Sequence, residues 1–596
     1  MKKVIARLLS VCVCVFLIAG CSGGAGNAPA NNTPAAATTA AAENTAAAQD
    51  NTAAAATQDN TAATPAQQDT ASSGTPSYVN ATGYPIPAQD IPAMTMLVSQ
   101  AENQKPANEL NYYIEMEKLT GVKWTYIQPP SSGYADQMNL MMSSNNLPDV
   151  INTIGNGPIS MANQYNWGVG GLIIPLEKLI ADYGPNFQAL MKRYPEIPKS
   201  ITSADGHIYT MPNVNNSPKE IQRLWINYNW STKWGMTKYN DEGVYYRDLP
   251  TTLDEFYNLL VRFRDEDPNG NGQKDELPLS LDKDMFGGTA GINSFSPTAV
   301  ILSYFGLIGK GISEENGKII FTSIDNRYKE YLKFMHKLFV EQLLDNESFT
   351  QDGNQLTAKG KANLIGVTGG WNAIAYQYSE GSDLDKLKGT SMPPLTSQFS
   401  TTAVYPLFPM IRTGCFAITK ACKYPEVAYR WVDIGYSGQP EDVLRLFWGG
   451  QYTWLDESTK LWQGIVPEGQ SNAIRTQLYT NGSDTDPPYF ADTATLDHQG
   501  GITGVTDRYK LADAQRFVSV ARSAIPVISF TPDELSSIAS YGPDIYTYCD
   551  QMEAAFITGT TDIDGGWDEY VNNLQKMNLS ELVNVYQTGY DRFTSN

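Results

Sequence analysis

The sequence predicts an α/β fold with more than one lobe, and two observations carry this prediction. The chain has 596 residues, which is more than one ordinary hydrophobic core accommodates. From Ala93 onward, short apolar runs alternate with segments of helical periodicity. Strands are predicted at 94–98, 122–127 and from 149, with helices at 108–120 and 134–143. This order is typical of a largely parallel sheet, whose ligands gather at the loops after the strands.

The alternation continues through the rest of the chain. A strand is predicted at 223–228, and the capping box Thr252-Leu253-Asp254-Glu255 opens a helix. Amphipathic helices are predicted at 326–344 and 425–436. Trp225 and Trp431 fall at positions predicted to lie in the core, and Trp167 is a weak candidate for ligand contact. His207 and His336 are predicted to be structural or exposed, because no catalytic partners surround either in the sequence.

Charge and composition exclude several classes of partner. Lys plus Arg number 42 and Asp plus Glu number 63, so the formal net charge is −21. Nucleic acids and anionic lipid surfaces both reward basic patches, so neither is an expected partner. The six cysteines include no CxxC motif and no Cys/His cluster, which argues against zinc. A disulfide between Cys415 and Cys422 is conceivable, but we expect buried free thiols.

The start of the chain predicts export and lipid anchoring. Residues 1–20 form a lipoprotein signal peptide, with a basic start followed by a short apolar stretch. The stretch ends in Leu17-Ile18-Ala19-Gly20-Cys21, which resembles a bacterial lipobox. The alternative is an ordinary secretory signal with an unrelated cysteine. We expect Cys21 to carry diacylglycerol, so that the protein is held on the extracytoplasmic face of the cell membrane.

Residues 21–82 are predicted to be a disordered, lipid-anchored tether. The segment is rich in Ala and Thr and repeats Gln-Asp-Asn-Thr-Ala-Ala at positions 49 and 58. It contains no Val, Ile, Leu, Phe or Trp before Tyr78, so it has too little apolar surface to fold.

An acidic loop after the capping-box helix predicts a calcium site. Residues 265–276 match the pattern D-x-[DN]-x-[DN]-G-x5-E at every fixed position. Calcium takes six to eight oxygen ligands, and alternate residues of a tight loop point their oxygens inward. An EF-hand register would use Asp265 as the first ligand. The alternative is a solvated acidic turn without an ion.

Motifs distributed along the body carry a family resemblance through their order and spacing. The body from about Gly83 to the C-terminus resembles an extracellular solute-binding lipoprotein of a carbohydrate ABC transporter, of the large type that includes alginate-binding members. The motifs are Leu147-Pro148-Asp149-Val150, Gly171-Leu172-Ile173-Ile174-Pro175-Leu176, Leu224-Trp225-Ile226, Trp230, Thr251-Thr252-Leu253-Asp254-Glu255-Phe256, Gly369-Gly370-Trp371, Phe416-Ala417-Ile418-Thr419-Lys420, Phe556-Ile557-Thr558-Gly559, Trp567-Asp568-Glu569-Tyr570 and Val585-Tyr586-Gln587.

The resemblance implies a two-lobed periplasmic-binding-protein fold with a hinge and an interlobe cleft. We expect residues 83–220 plus 400–440 in the N-terminal lobe and residues 221–399 plus 441–596 in the C-terminal lobe. The chain should cross between lobes near 214–222, near 400–413 and after about 438. The family usually carries Arg-x-Asp where this chain has Asn227 and Asn229, so nothing at this position demands an anionic sugar.

The resemblance also implies a second register for the calcium loop. In that register a structural ion is bound by Asp267, Asn269, Asn271, the Gln273 carbonyl, Asp275 and Glu276. We favour this register because a predicted strand start, not a second helix, follows at Leu277-Pro278-Leu279.

Five residues are candidates for holding the ligand. Sugars present apolar C–H faces and a rim of hydroxyls, which aromatic rings and polar side chains recognise. Trp371 follows two glycines at a predicted strand end, and the resemblance implies a stacking role for it, with Asn372 as a polar companion. Trp448 and Trp454 flank a glycine-containing loop and are equally compatible with core and cleft. Asp149 could accept ligand hydroxyls or cap a loop.

The function expected from these features is the capture of a neutral oligosaccharide and its delivery to ABC permease subunits. The protein is expected to be a monomer and not an enzyme. The sequence contains no G-x-S-x-G, H-E-x-x-H or P-loop motif. The alternatives are an oligopeptide-binding lipoprotein and a secreted carbohydrate-active hydrolase with two carboxylates.

Overall fold

Two separate β-sheets, each with its own hydrophobic core, organise the part of the chain that the structure describes. The computed structural model describes residues 74–153, 159–216, 222–240, 243–246, 248–286, 296–370, 390–468, 474–479, 488–492 and 516–595. The chain from Ser73 onward forms one compact unit. No helix in the described ranges has the length and apolar character needed to cross a bilayer.

The strands are short. They are β1 Met94–Leu97, β2 Trp124–Ile127, β3 Val150–Asn152, β4 Met211–Asn216, β5 Arg223–Ile226, β6 Thr237–Asn240, β7 Gly243–Tyr246, β8 Leu277–Leu279, β9 Ile312–Glu315, β10 Lys318–Phe321, β11 Ile365–Gly370, β12 Thr390–Ser391, β13 Tyr405–Pro406, β14 Ile411–Ile418, β15 Tyr452–Asp456, β16 Leu461–Gly464, β17 Phe490–Asp492 and β18 Ala521–Arg522.

The helices lie between and around them. They are α1 Asn111–Thr120, α2 Tyr134–Ser143, α3 Met161–Val169, α4 Glu177–Tyr183, α5 Pro185–Arg193, α6 Glu196–Ile201, α7 Tyr228–Lys233, α8 Leu253–Asp265, α9 Pro297–Ser303, α10 Asn326–Val340, α11 Gly353–Lys361, α12 Pro425–Asp433, α13 Pro440–Trp448, α14 Pro532–Thr558, α15 Ile563–Lys576 and α16 Leu579–Ser595.

The first sheet has the strand order β17-β4-β14-β3-β1-β2. Strands β1, β2 and β3 pair in parallel, whereas β14 runs antiparallel to both β3 and β4. All three residues of β3 are buried, as expected for a strand covered on both faces. The β-α-β-α-β order predicted from the sequence is therefore confirmed in the lobe around this sheet, which we call the first lobe.

The second sheet has the order β12-β5-β11-β8, in which β11 is parallel to β8 and antiparallel to β5. Helix α8 begins at the predicted capping box, because the Thr252 hydroxyl accepts the Glu255 N–H and the Glu255 carboxylate accepts the Thr252 N–H. Its apolar stripe packs into the core of this second lobe together with α10 and α14, which contact each other.

The predicted placement of residues 441–596 in the second lobe agrees with the structure for α14 to α16 but is wrong for the segment that contains α13 and β17. Residues 441–596 were all expected in the second lobe, but β17 pairs in parallel with β4 of the first sheet. Helix α13 also packs on α1 of the first lobe. The apolar face of α13 includes Leu446, which joins the first core, and this packing holds the segment there. The last crossing between lobes therefore follows Asp492 and not residue 438.

The tether also ends earlier than predicted, because residues 78–86 pack on the first lobe. Val79 and Ile86 are 3% and 0% exposed. The Arg430 guanidinium on α12 donates to the carbonyls of Asn80 and Gly83. These contacts fix the segment that precedes β1, so residues 78–82 belong to the folded body.

Several expectations for single residues agree with the structure. Trp431 is 2% exposed, and its ring centroid lies 5.4 Å from that of Trp124. Cys415, Cys422 and Cys549 are all free thiols; Cys422 is half-buried and the other two are buried. The His336 ring bonds the Ile557 carbonyl at 2.9 Å, which is a structural role.

Candidate ligand-binding site

The carboxyl ends of the first sheet's parallel strands form one candidate ligand-binding surface, which we call the β3 edge. Strand β3 ends at Asn152, whose side-chain oxygen is buried and has no hydrogen-bond partner among the described residues. The neighbouring Thr153 hydroxyl donates to the carbonyls of Gly414 and Cys415, both at 3.2 Å. Ligands of open parallel sheets bind at such strand ends. Asn152 is therefore a polar group at the right place, although it is not among the five candidate ligand residues named from the sequence.

Asp149 lies at the opposite end of the strands, where β3 begins. It precedes β3, and its carboxylate accepts hydrogen bonds from the Thr95 N–H at 2.6 Å and the Thr95 hydroxyl at 2.7 Å. Its own N–H donates back to the Thr95 hydroxyl at 2.8 Å. The predicted ligand role is corrected, because a residue that precedes a parallel strand lies at the end of the sheet opposite to the ligand-binding strand ends. Its carboxylate is also bonded to Thr95. Asp149 joins β1 to β3.

The second candidate ligand-binding surface lies at the carboxyl end of β11 in the second sheet, and we call it the β11 edge. Gly370 closes β11 with a φ of +140°, and a side chain on Gly369 would collide with Pro297. The glycine pair is therefore required by backbone conformation and close packing. Trp371 and Asn372, the predicted stacking pair, lie outside the described residues and directly follow this edge. Trp225 is 3% exposed, as predicted, and donates to the Gly370 carbonyl at 2.9 Å.

Two arginines stand beside the end of β11, and the sequence analysis did not identify either. Arg223 pairs with Gly370 in the strand register, and its guanidinium lies 5.3 Å from the Trp225 ring and 5.7 Å from the Phe517 ring. Arg516 donates to the Ser391 carbonyl at 2.7 Å, where β12 ends. No sequence signal links these two positions, because only the fold brings Arg516 next to β5.

Trp448 is a core residue and not a ligand platform. It is 4% exposed, and its ring packs against Gly464 and, at a centroid distance of 6.0 Å, against Trp462. Trp454 differs, since it is partly exposed and lies beside a cavity on the first lobe. Of the two alternatives left open by the sequence, Trp448 is therefore a core residue and Trp454 is a surface residue.

Asn227 also has a role different from the predicted one. Its side-chain oxygen accepts the N–H groups of Asn229 and Trp230 at the start of α7. Its amide donates to the Ile365 carbonyl at 2.9 Å, and the side chain is buried. Asn227 caps a helix inside the second lobe, so its identity carries no information about the charge of a ligand.

Hydrogen bonds among its own residues hold the acidic loop between α8 and β8. The Asp267 carboxylate accepts the N–H groups of Gly270 at 2.8 Å and Gly272 at 3.0 Å. The amides of Asn269 and Asn271 donate to the Asp275 carboxylate at 3.0 to 3.1 Å. These bonds bring Asp275, which is a ligand only in the second register, beside Asn269 and Asn271.

Glu276 is a proposed ligand in both registers, whereas Asp265 is a ligand only in the EF-hand register. One carboxylate oxygen of Glu276 is buried and has no hydrogen-bond partner among the described residues. Burial, followed by the charges of Asp267 and Asp275, raises the pKa of the Glu276 carboxyl. A bound cation would neutralise the buried negative charge of the Glu276 carboxylate. The Asp265 carboxylate is paired with the Arg264 guanidinium at 2.8 Å.

Carboxylates alone do not complete a metal site. Within the described ranges, no group of three or more His, Cys, Asp or Glu side chains is arranged to hold an ion. The amide oxygens of Asn269 and Asn271 and a backbone carbonyl such as that of Gln273 would have to supply the remaining ligands. These residues fit a hard cation, because every available group is an oxygen donor.

Comparisons with known proteins agree with this two-lobed arrangement. The family model described as bacterial extracellular solute-binding protein matches residues 99–437. The chain is 28% identical to the fructooligosaccharide ABC transporter substrate-binding protein FusA of Streptococcus pneumoniae, over 84% of this chain and 90% of that protein.

Solved structures show the same fold. FusA in complex with kestose is 25% identical, covers 85% of this chain and 100% of its own, and has a TM-score of 0.66. A FusA EF-hand mutant with fructo-nystose gives 24% identity, the same coverage and a TM-score of 0.66. An HMO-binding solute-binding protein of Bifidobacterium longum infantis is 20% identical over 84% of this chain and 98% of that one, with a TM-score of 0.68. The predicted two-lobed fold is confirmed.

Proposed function

This chain belongs to the family of bacterial extracellular solute-binding proteins, and we propose that its solute is a neutral oligosaccharide destined for an ABC importer. The observation that carries the proposal is the similarity to FusA along almost the whole of both chains. FusA is a fructooligosaccharide-binding protein of this transporter class. The geometry is compatible, since each lobe offers one polar strand edge to a ligand.

Binding would proceed by closure of the two edges onto the sugar. The chain passes between the sheets from β4 to β5, from β12 to β14 and from β17 toward β18. Near these crossings β13 pairs with β18, and the Tyr405 hydroxyl donates to the Gln222 carbonyl at 3.0 Å. Several parallel connections restrict the motion to a hinge. Trp371 would stack on the sugar from the β11 edge, and Asn152 would offer an amide from the β3 edge.

The protein would act outside the cytoplasm and without catalysis. Cys21 would anchor it by lipid, and the closed, loaded form would dock on permease subunits. A monomer suffices for this role, because each chain contains both lobes. The hydrolase and oligopeptide alternatives lose support, because the family and the relative along most of the chain are solute-binding proteins, and the relative's solute is a sugar.

Calcium would be a structural ion in this protein. The six proposed ligands connect the end of α8 to the start of β8, so the ion would fix a helix to a strand within the second lobe. The unpartnered Glu276 oxygen and the position of Asn269 and Asn271 beside Asp275 support this proposal.

Incubation of the purified full-length protein with oligosaccharides tests the function. A panel of neutral and uronate-containing trisaccharides and tetrapeptides is added, and both the melting temperature and the released products are measured. We expect a neutral trisaccharide to raise the melting temperature without being cleaved. Cleavage would favour the hydrolase, stabilisation by peptides alone would favour the oligopeptide binder, and stabilisation by uronates alone would contradict a neutral ligand.

A further inference from the structure

A cavity on the flank of the first lobe lies apart from both strand edges. Its volume is about 420 Å³, and all of its lining residues belong to the first lobe. This volume falls within the range of about 300–1,000 Å³ that is usual for small-molecule pockets. The lining includes Glu115 on α1, Glu441 and Arg445 on α13, and Tyr452, Thr453 and Trp454 on β15.

The turn from α13 into β15 holds this cavity in shape. Gly449 and Gly450 have φ angles of +55° and +72°. A side chain on Gly449 would lie 2.6 Å from the Asn111 Cβ, so the turn packs directly on the start of α1. Beneath it the buried Trp448 ring is packed against Gly464 of β16. The cavity therefore rests on a small core and does not need a ligand to form.

Two aromatic rings form one wall of the cavity. Tyr452 and Trp454 are alternate residues of β15, so their side chains lie on the same face of the hairpin. Their ring centroids are 5.3 Å apart with an interplanar angle of 81°. Both residues are partly exposed. The Lys460 ammonium lies 4.9 Å from the Trp454 ring centroid, so a sugar would stack its C–H face on the ring face that Lys460 leaves open.

The charged groups of the cavity are already paired within the protein. Glu441 pairs with Lys460 at 2.9 Å, and Arg445 pairs with Asp442 at 2.6 Å. Glu115 lies 3.5 Å from Lys118. The cavity therefore has no excess charge for an ionic ligand, whereas carboxylate oxygens and guanidinium N–H groups can still bond hydroxyls.

We propose that this cavity is a second carbohydrate-binding pocket, which takes a neutral sugar residue stacked on Trp454. Aromatic rings beside balanced, convergent polar groups recognise an uncharged polyhydroxyl ligand. Because one lobe supplies every lining residue, the pocket binds without closure of the lobes. It does not depend on Trp371 and is additional to the proposed cleft site.

Equilibrium dialysis with radiolabelled kestose, maltotriose and xylotriose tests the pocket in the full-length protein. We expect at least one of these sugars to bind at two sites. Trp454→Ala and Glu115→Ala should each weaken one site at least tenfold and leave the other unchanged. Trp454→Phe, which keeps a ring, should retain both sites. Leu455→Ala is the matched control, since Leu455 is the next residue of β15, is exposed and points to the opposite face.

The outcomes separate the pocket from the proposed cleft. If the sugar binds at a single site, and Trp371→Ala weakens that binding while Trp454→Ala and Glu115→Ala do not, the proposed second pocket is overturned. The same holds if none of the three sugars binds at millimolar concentration. If a single site is weakened by Trp454→Ala and Glu115→Ala but not by Trp371→Ala, the pocket is supported and the cleft proposal fails. Glu115→Ala removes no buried group, so its result does not depend on the folding of the hairpin.

Discussion

Lys310 and Glu553 form an ion pair inside the core of the second lobe. The Lys310 Nζ lies 2.7 Å from both carboxylate oxygens of Glu553, and the two side chains are 0% and 3% exposed. The Tyr331 hydroxyl donates to the same carboxylate at 2.9 Å, and the Phe286 carbonyl accepts from Lys310 at 2.8 Å. Every polar group of the pair thus has a partner, which a buried pair requires.

Removal of one member of this pair should destabilise the protein strongly. Lys310→Met leaves the Glu553 carboxylate buried without its counter-ion, which costs about 3–5 kcal/mol of unfolding free energy. The double variant Lys310→Met with Glu553→Gln should recover a substantial part of this loss, because no charge remains buried. Urea denaturation of the three proteins checks the prediction. Equal stability of the single and double variants would contradict it.

Calcium should stabilise the second lobe through Glu276. Chelator should lower the melting temperature of the wild type, whereas Glu276→Gln should be insensitive to chelator. In chelator the Gln variant should be at least as stable as the wild type, because the wild-type carboxylate is buried beside Asp267 and Asp275. Differential scanning calorimetry measures both effects.

Two matched variants can distinguish the two registers of the calcium loop. Asp267→Asn should weaken the calcium effect, while Asp265→Asn should leave it unchanged because Asp265 is paired with Arg264. Loss of the calcium effect in both variants would favour the EF-hand register, because Asp267 is a ligand in both registers and Asp265 only in that one. No response of any variant to calcium or chelator would mean that the loop is an acidic turn.

Asp433 should make stability depend on pH. It is 3% exposed, and burial raises the pKa of its carboxyl from 3.8 to about 6, although the N–H groups of Phe187 and Asn186 oppose the shift. Between these values the folded state binds more protons than the unfolded state, so this group's contribution to stability falls as the pH rises from 4 to 6. Asp433→Asn removes the titration and should gain stability relative to the wild type over that window.

Chemical denaturation at several pH values measures the difference between the two proteins. Asp182→Asn, at an exposed carboxylate on α4, is the control and should show a much smaller change. A stability difference between Asp433→Asn and the wild type that is constant from pH 4 to pH 7 would contradict the prediction.

Trp371→Ala should weaken binding of the cleft ligand by about tenfold to a hundredfold. Loss of a base–ring stack is worth roughly 1–3 kcal/mol, and loss of a sugar stack should be similar. The melting temperature without ligand should change little, because a residue at the ligand edge supports little of the core. Titration calorimetry provides the affinity. Unchanged affinity would move the stacking platform elsewhere, and an unfolded variant would place the ring in the core.

Cys21→Ser should release the protein from the membrane. A lipid attached at this cysteine would be the only proposed anchor, so the variant should be recovered in the soluble extracytoplasmic fraction. Fractionation followed by immunoblotting measures the distribution. The variant Ser22→Ala retains the cysteine and serves as a control. Continued membrane association of a processed Cys21→Ser protein would contradict lipid anchoring.

Local features of the chain were sufficient to predict its local structure. The capping box at Thr252, the apolar stripe of α8 and the strand–helix alternation depend on neighbours within a few residues, so the sequence reveals them directly. The order of the motifs was likewise sufficient to indicate the family, which the match over residues 99–437 confirms.

Long-range packing decided what those local patterns left open. Asp149, Trp448 and Asn227 each have a residue type suited to a ligand, but their hydrogen bonds and contacts are made within the protein. Arg223 approaches the Phe517 ring, and Arg516 bonds Ser391 of β12, only because β5 and β12 pack against the segment before β18. The sequence by itself determined the fold class and the helices α1, α2, α8, α10 and α12; the tertiary structure decided which polar and aromatic groups remain available, because burial depends on partners that are distant in the chain.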